Sequence, residues 1–185
     1  MYSGILFALE HLVHLGHRHI GFIGEKNTIS KQEMFKRAMK QLELPCRAED
    51  LFCSGKRFEE IGYEGASYFL RQKDPPTAYL TAYDEVALGA IHTFQSHGVR
   101  IPEDVSIIGI NDIPSASYAS IPLTTIRTSR GEMLELAVEA LLNKIHSPDN
   151  LPLQQTAVKY DLIVRETTAK PPQPLKTESE KGDFT

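Results

Sequence analysis

Polar and aromatic side chains follow two predicted strands of this chain at the points where the strands end. They are Tyr83, Asp84 and Glu85 after the first strand, and Asn111 and Asp112 after the second. In an open parallel sheet, ligands bind at the carboxyl ends of the strands. Amide and carboxylate groups there can form the paired hydrogen bonds that vicinal hydroxyls need. The pattern predicts a pocket for a polyhydroxylated molecule, although Asp84 and Asp112 are equally suited to capping a helix or a turn.

Four histidines lie close together near the start of the sequence. They are His11, His14, His17 and His19. A His-x-x-His pair on a helix can present two imidazoles on roughly one face. The zinc-protease spacing His-Glu-x-x-His is absent, however. We therefore predict no metal site and expect solvent-exposed histidines at the end of a helix, where their charge suits the helix dipole.

Positive charge lies along one predicted helix. The residues are Lys31, Lys36, Arg37 and Lys40. A phosphate site is one interpretation, but no glycine-rich loop accompanies the helix, which favours a solvated face. The sequence has no dinucleotide-binding fingerprint, P-loop or Gly-x-Ser-x-Gly motif, and no motif joins a nucleophile to a base and an orienting group. We predict neither enzymatic activity nor a cofactor.

Composition sets broad limits on the class of protein. The chain has 185 residues, a formal net charge of −4, and 41% hydrophobic and 24% charged residues. This balance argues against a general nucleic-acid binder, which carries a basic patch. No apolar run is long enough to cross a membrane, and the first residues lack the pattern of a signal peptide. Cys46 and Cys53 form no metal or redox motif, so we expect free thiols and a cytoplasmic location.

Strand-like and helix-like segments alternate along most of the sequence. Strands are predicted at 20–23, 78–81, 105–110, 124–126 and 156–164. Helices are predicted at 5–13, 30–42, 58–70, from 84 toward 98, and 131–145. The alternation predicts an α/β fold with a mainly parallel sheet flanked by helices. From residue 169 to 185 the sequence is polar, charged and proline-rich, which is typical of a disordered tail.

Four blocks of the sequence together resemble a known family. They are HLVHLGHRHIGFIG at 11–24, AYDEVALG at 82–89, GVRIPEDVSIIGIND at 98–112 and LTTI at 123–126. Their order and spacing are similar to those of the lac repressor/gal repressor family of transcriptional regulators. The resemblance extends from about residue 2 to residue 168.

The resemblance implies a type I periplasmic-binding-protein-like fold, in which two α/β lobes close around a sugar or a similar small molecule. It implies that residues 16–122 form most of the C-terminal lobe, to which 151–168 return. Residues 1–15 would be the last helix of the N-terminal lobe, and 123–150 a further strand and helix of it. We therefore expect bare apolar faces on the helices at 5–13 and 134–145, whose packing partners in that lobe are missing.

The resemblance also implies a homodimer, formed through the C-terminal lobe, that binds operator DNA through an N-terminal helix-turn-helix. Neither that motif nor the early strands of the first lobe can be found in this sequence. The chain is therefore expected to be the ligand-sensing and dimerising part of a sugar-responsive repressor. A periplasmic-type sugar-binding protein of a transport system is the alternative, against which the missing signal peptide argues.

Site residues carry over from the family by position. The effector-binding residues expected on this basis are Lys31, Arg57, Phe58, Tyr83, Asp84, Asn111, Asp112 and Thr128. Three of them depart from the family pattern: Lys31 stands in place of an arginine, Tyr83 of an asparagine and Asn111 of an aspartate. Lysine keeps the charge of arginine but lacks its bidentate fork. The departures bear on which effector is bound.

Overall fold

The computed structural model describes residues 1–27, 29–146 and 158–172. The helices of the described residues are α1 (Tyr2–Leu15), α2 (Ile29–Gln41), α3 (Glu59–Phe69), α4 (Asp84–Ser96), α5 (Pro114–Tyr118) and α6 (Arg130–His146). The strands are β1 (Ile20–Glu25), β2 (Leu51–Ser54), β3 (Ala78–Thr81), β4 (Ser106–Ile110), β5 (Thr124–Thr128) and β6 (Tyr160–Ile163). Pro148, Asp149 and Asn150 predict a turn after the last predicted helix, and these residues lie outside the described ranges.

The strands form one sheet in the order β2-β1-β3-β4-β5-β6. The first five strands in that order run parallel, and β6 pairs antiparallel with β5. Ile23 pairs with Thr81, and Ile110 pairs with Ile126. The carboxyl ends of the five parallel strands therefore meet at one edge of the sheet. The α/β fold with a mainly parallel sheet flanked by helices is confirmed.

Helices cover both faces of the sheet because successive strand residues point to opposite sides. Phe22 and Leu80 belong to a core with α1 and α2 on one face. Ile23 and Tyr79 belong to a second core with α3 and α4 on the other face. Central strands that are buried on both faces read as continuous apolar runs, which is why the run at 105–110 predicted a strand so clearly.

Helix α1 is part of the first core, so the expectation of a bare apolar face on it is wrong. Its side chains Ile5, Leu9 and Leu12 are fully buried. Gly4 brings the helix close to the sheet, because a Cβ there would lie 2.8 Å from Cγ2 of Ile126. The structure thus places α1 and β5 in the same sheet and core as β1 to β4, whereas the resemblance assigned both to another lobe. Where lobes divide in a longer protein stays a prediction.

Helix α6 does present the apolar face that the sequence predicted. The side chains concerned are Leu134, Val138, Leu141, Leu142 and Ile145, which expose between 47% and 66% of their surface. None of the described helices is long and apolar enough to cross a membrane.

His17 lies in the interior, which corrects the expectation that the histidines are exposed. It is 1% exposed, and its Nε2 donates to the carbonyl oxygen of Ala169 at 2.9 Å. Ala169 in turn donates its backbone N–H to Oγ of Ser106. The segment 169–172 therefore packs on the sheet instead of starting a disordered tail, and the remainder of that predicted tail lies outside the described residues.

Candidate functional site

The polar residues singled out by the sequence lie at the edge where the parallel strands end. Tyr83 is extended and directly precedes α4, while Asn111 and Asp112 directly follow β4. Asn111 and Asp112 have φ angles of 119° and 49°. Asparagine and aspartate tolerate such left-handed backbone better than other residues with a Cβ. The backbone N–H of Asn111 donates to the carbonyl oxygen of Ile126 on β5, the neighbouring strand.

Lys31 reaches from α2 across this edge and contacts the loop after β3. Its Nζ donates a 2.7 Å hydrogen bond to the carbonyl oxygen of Ala82 and lies 3.5 Å from the centroid of the Tyr83 ring. Burial lowers the pKa of Lys31 to about 8, although the charges of Glu25, Glu85 and Asp84 act to raise it. The pattern of the helix predicted that Lys31 would lie on a solvated face. The structure shows instead that it contacts Ala82 and Tyr83. The structure brings Lys31 and Tyr83 together.

Arg57 and Phe58 lie in the loop between β2 and α3, which follows the carboxyl end of β2 at the same edge of the sheet. The Arg57 guanidinium lies 4.9 Å from the centroid of the Phe58 ring, and both residues are exposed. Burial raises the pKa of Tyr83, as does the charge of Glu25, while the charge of Arg57 acts to lower it. Arg57 is therefore within electrostatic range of the Tyr83 phenol, while Lys31 contacts the face of the same ring.

Asp84 is not accessible to a ligand, which corrects its predicted role as a contact. Its side chain is fully buried, Oδ1 accepts from the Thr125 hydroxyl at 2.5 Å, and Oδ2 accepts from the Ile113 backbone N–H at 2.8 Å. Burial raises the pKa of Asp84, and these two hydrogen bonds act against that rise. The sequence left two roles open for Asp84, a ligand contact and a structural contact within the protein. The structure supports the structural contact.

Asp112 is held by two arginines, one on the neighbouring strand β5 and one just after β6. Arg127 donates to its Oδ2 at 2.5 Å, and Arg165 donates to its Oδ1 at 2.7 Å. Burial by itself would raise the pKa of Asp112, but the hydrogen bonds and charges of both arginines outweigh it, so the pKa is lowered. Asp112 keeps a small exposed fraction. Thr128, at the end of β5, is half-buried and pairs with Tyr160.

Two carboxylates near Lys31 were not among the contacts carried over from the family, although the strand-end pattern had already singled out Glu85. Glu25 is the last residue of β1, so the rule that selected Tyr83 at the end of β3 also selects Glu25. Glu85 stands beside Asp84 in the same sequence block, but the family pattern assigns no role to that position. Arg165 was missed as well, because nothing in its local sequence links it to Asp112. No group of three or more metal-ligating side chains occurs within the described ranges.

The sequence profile of the periplasmic binding protein-like domain matches residues 9–168, which is most of the chain. The chain belongs to the periplasmic binding protein-like domain family. The edge described above is therefore the strand-end region of a periplasmic binding protein-like domain.

Two curated relatives of this periplasmic binding protein-like domain come from Haemophilus influenzae. The chain is 35% identical over 172 residues to the HTH-type transcriptional repressor PurR of strain PittEE, covering 90% of the chain and 51% of that repressor. It is 35% identical over 168 residues to the ribose operon repressor of strain KW20 / Rd, covering 86% of the chain and 50% of that repressor. The chain thus spans about half the length of these relatives.

Solved structures support the same assignment. A LacI transcriptional regulator from Bacillus cereus subsp. cytotoxis shares the fold with a TM-score of 0.84 and 24% identity, over 91% of this chain and 61% of that one. A LacI family regulator from Enterococcus faecium, solved with bound ribose, has a TM-score of 0.78 and 26% identity, over 91% and 63%. The resemblance to the lac repressor/gal repressor family is confirmed, and the transport-protein alternative is not favoured.

Proposed function

We propose that this chain is the effector-sensing and dimerising part of a sugar-responsive transcriptional repressor of the LacI family. The observation that carries the proposal is the convergence of Lys31, Tyr83 and Arg57 at the edge where the parallel strands end. The names of the relatives, the HTH-type transcriptional repressor PurR and the ribose operon repressor, support the regulatory role. In this proposal the protein is cytoplasmic, holds no cofactor and catalyses no reaction.

The proposed effector contacts are the predicted residues with the exception of Asp84, whose carboxylate is fully engaged inside the protein. They are Lys31, Arg57, Phe58, Tyr83, Asn111, Asp112 and Thr128. An aromatic ring, an amide and a lysine at one strand edge can pack on a sugar ring and hydrogen-bond its hydroxyls. Asp112 contributes mainly by fixing the turn that carries Asn111, because both of its oxygens accept from arginines.

The proposed mechanism is a population shift between two arrangements of lobes. An effector that binds one arrangement more tightly moves the equilibrium toward it, and the coupling changes the affinity for operator DNA. In the longer protein, a separate N-terminal segment reads the DNA, and a homodimer forms through the lobe that contains residues 16–122. Of the segments that the resemblance assigned to the other lobe, helix α6 contributes to neither core of the described residues, so it is proposed to follow that lobe during closure.

A ligand screen tests the proposal on the chain itself. Sugars found in LacI family structures are the probes: D-ribose, D-glucose and sucrose. A bound sugar stabilises the native state by about 2.7 kcal/mol when its concentration is about 100 times Kd. We expect at least one probe to raise Tm and to shift the amide resonances of Tyr83 and Asn111. Tyr83→Ala is expected to remove the effect, whereas Tyr118→Ala, at an exposed residue outside the proposed contacts, leaves it intact. A chain that binds none of the three sugars contradicts the proposal.

A further inference from the structure

We infer that Glu85 is a further ligand-contacting residue, and that it makes the site select neutral, hydroxyl-rich sugars over their phosphate esters. The inference rests on the proposed function, because it assigns a specificity-determining role within the same site. Its starting point is a contrast between two adjacent carboxylates, Asp84 and Glu85, in the first turn of α4.

The two carboxylates differ in whether protein groups donate hydrogen bonds to them. Both oxygens of Asp84 accept hydrogen bonds from protein groups. The Oε2 atom of Glu85 is also buried, yet no group in the described part of the chain donates to it. Buried polar atoms are nearly always hydrogen-bonded in native structures, so each exception needs an explanation. A donor supplied by a ligand is such an explanation at the edge where the ligand is proposed to bind.

Lys31 is close to Glu85 but does not supply that donor. The Lys31 ammonium group donates to the carbonyl oxygen of Ala82 and faces the Tyr83 ring. The charge of Glu85 is still near enough to raise the pKa of Lys31 and that of Tyr83. Glu85 therefore lies within the same group of side chains as the two predicted contacts, with an acceptor atom that neither of them satisfies.

The chemistry of the acceptor decides the class of ligand. An ionised carboxylate only accepts hydrogen bonds, so Glu85 recognises hydroxyl or amine donors. Three carboxylates, those of Glu25, Glu85 and Asp84, act on the one ammonium group of Lys31. A phosphate group brought into this position meets like charge, while the Arg57 cation is exposed and screened by solvent.

The first test needs no variant and uses the chain as it is. Amide chemical shifts are followed while the chain is titrated with D-ribose and with D-ribose 5-phosphate, and likewise with D-glucose and D-glucose 6-phosphate. We expect the neutral sugar to bind at least about tenfold more tightly than its ester, which corresponds to 1.4 kcal/mol. An ester that binds as tightly as its parent sugar, or more tightly, overturns the inference.

The second test removes the charge of Glu85 with little change of shape. Glu85→Gln is expected to weaken binding of the neutral sugar about tenfold or more, because it replaces a hydrogen bond to a charged acceptor. Glu103→Gln, which makes the same substitution at an exposed position in the turn before β4, is the matched control and leaves Kd unchanged. If Glu85→Gln binds the sugar as the unaltered chain does, this inference fails while the proposed function stands. If the unaltered chain binds none of the sugars, both fail.

Discussion

The Thr125 hydroxyl donates a 2.5 Å hydrogen bond to the buried Oδ1 of Asp84, and this contact joins two strands that are not neighbours in the sheet. Thr125 lies on β5 and Asp84 follows β3, so the bond passes over β4. Gly109 on β4 leaves the space for it, because a Cβ there would lie 2.1 Å from Oδ1 of Asp84. The contact fixes the start of α4, and with it Tyr83, relative to β5.

We expect the Asp84 and Thr125 side chains to be energetically coupled. Asp84→Ala leaves the Ile113 N–H and the Thr125 hydroxyl without their partner, and each unsatisfied buried group costs about 1–3 kcal/mol. Thr125→Val is expected to cost about 1.5–3 kcal/mol, the range for a hydrogen bond to a charged group. Urea unfolding of both single variants and the double variant measures the coupling, which should exceed about 0.5 kcal/mol. Thr128→Val on the same strand is the control, and strictly additive effects would contradict the prediction.

The strand ends were predictable from the sequence because their signal is local. Buried runs at 78–81 and 105–110 end in Tyr83 and Asn111, and a parallel sheet brings such ends to one edge. The partners of the acidic residues were not predictable in this way. Thr125 lies 41 positions from Asp84, and Arg165 lies 53 positions from Asp112. No helical or strand period connects residues at such distances.

The surroundings of α1 and of His17 were also not predictable, because segments distant in the sequence form them. The period of Ile5, Leu9 and Leu12 predicted an apolar face, but a period does not say which strands cover it. The covering strands are β5 and β6, and β6 lies near the end of the described sequence. Likewise, a histidine after a helix is exposed unless a distant segment packs on it, and for His17 that segment contains Ala169.

Alanine in place of Gly62 or Gly89 is expected to destabilise the protein through the contact between α3 and α4. A Cβ on Gly62 would lie 2.2 Å from the carbonyl oxygen of Val86, and one on Gly89 would lie 2.2 Å from that of Glu59. Backbone atoms must move apart to accept it, and overpacking of this kind costs about 1–3 kcal/mol or more.

Gly131→Ala is the matched control for these two variants, because a Cβ on Gly131 meets no atom within 4 Å. In an exposed helix position, alanine is favoured over glycine by about 0.5–1 kcal/mol. Thermal unfolding should therefore give a lower Tm for Gly62→Ala and Gly89→Ala and an equal or higher Tm for Gly131→Ala. Equal Tm values for all three would show that the helices can separate freely.

Stability is expected to fall in mild acid because of His17. Its Nε2 donates to the carbonyl oxygen of Ala169, so Nδ1 of the neutral ring accepts from the Thr77 hydroxyl at 2.8 Å. Burial lowers the pKa of His17, the hydrogen bond to Ala169 acts to raise it, and the charge of His11 lowers it further. The folded state thus favours the neutral ring. The contribution to stability is complete above the unfolded pKa of about 6.5 and is lost as the pH falls below that value.

Urea unfolding at a series of pH values between neutral and mildly acidic checks this expectation. His17→Gln keeps a polar side chain but cannot gain a proton, so its free energy of unfolding should depend less on pH than that of the unaltered chain. His14→Gln, at an exposed position on α1, is the control. Burial also lowers the pKa of His11, so part of the pH dependence should survive in His17→Gln. Identical pH dependence in the unaltered chain and in His17→Gln would contradict the assignment.

The apolar face of α6 is expected to bind hydrophobic dyes and to promote self-association of the isolated chain. Leu134 and Leu141 are each more than 60% exposed, and Leu142 and Val138 lie along the same helix. Contiguous exposed apolar surface of this kind marks sites of interaction or aggregation. Leu141→Lys combined with Leu134→Lys should lower both the dye fluorescence and the apparent mass in sizing experiments. Tyr118→Lys, at a single exposed aromatic residue on α5, should change neither. A monomer that binds no dye before any substitution would show that this face is covered in solution.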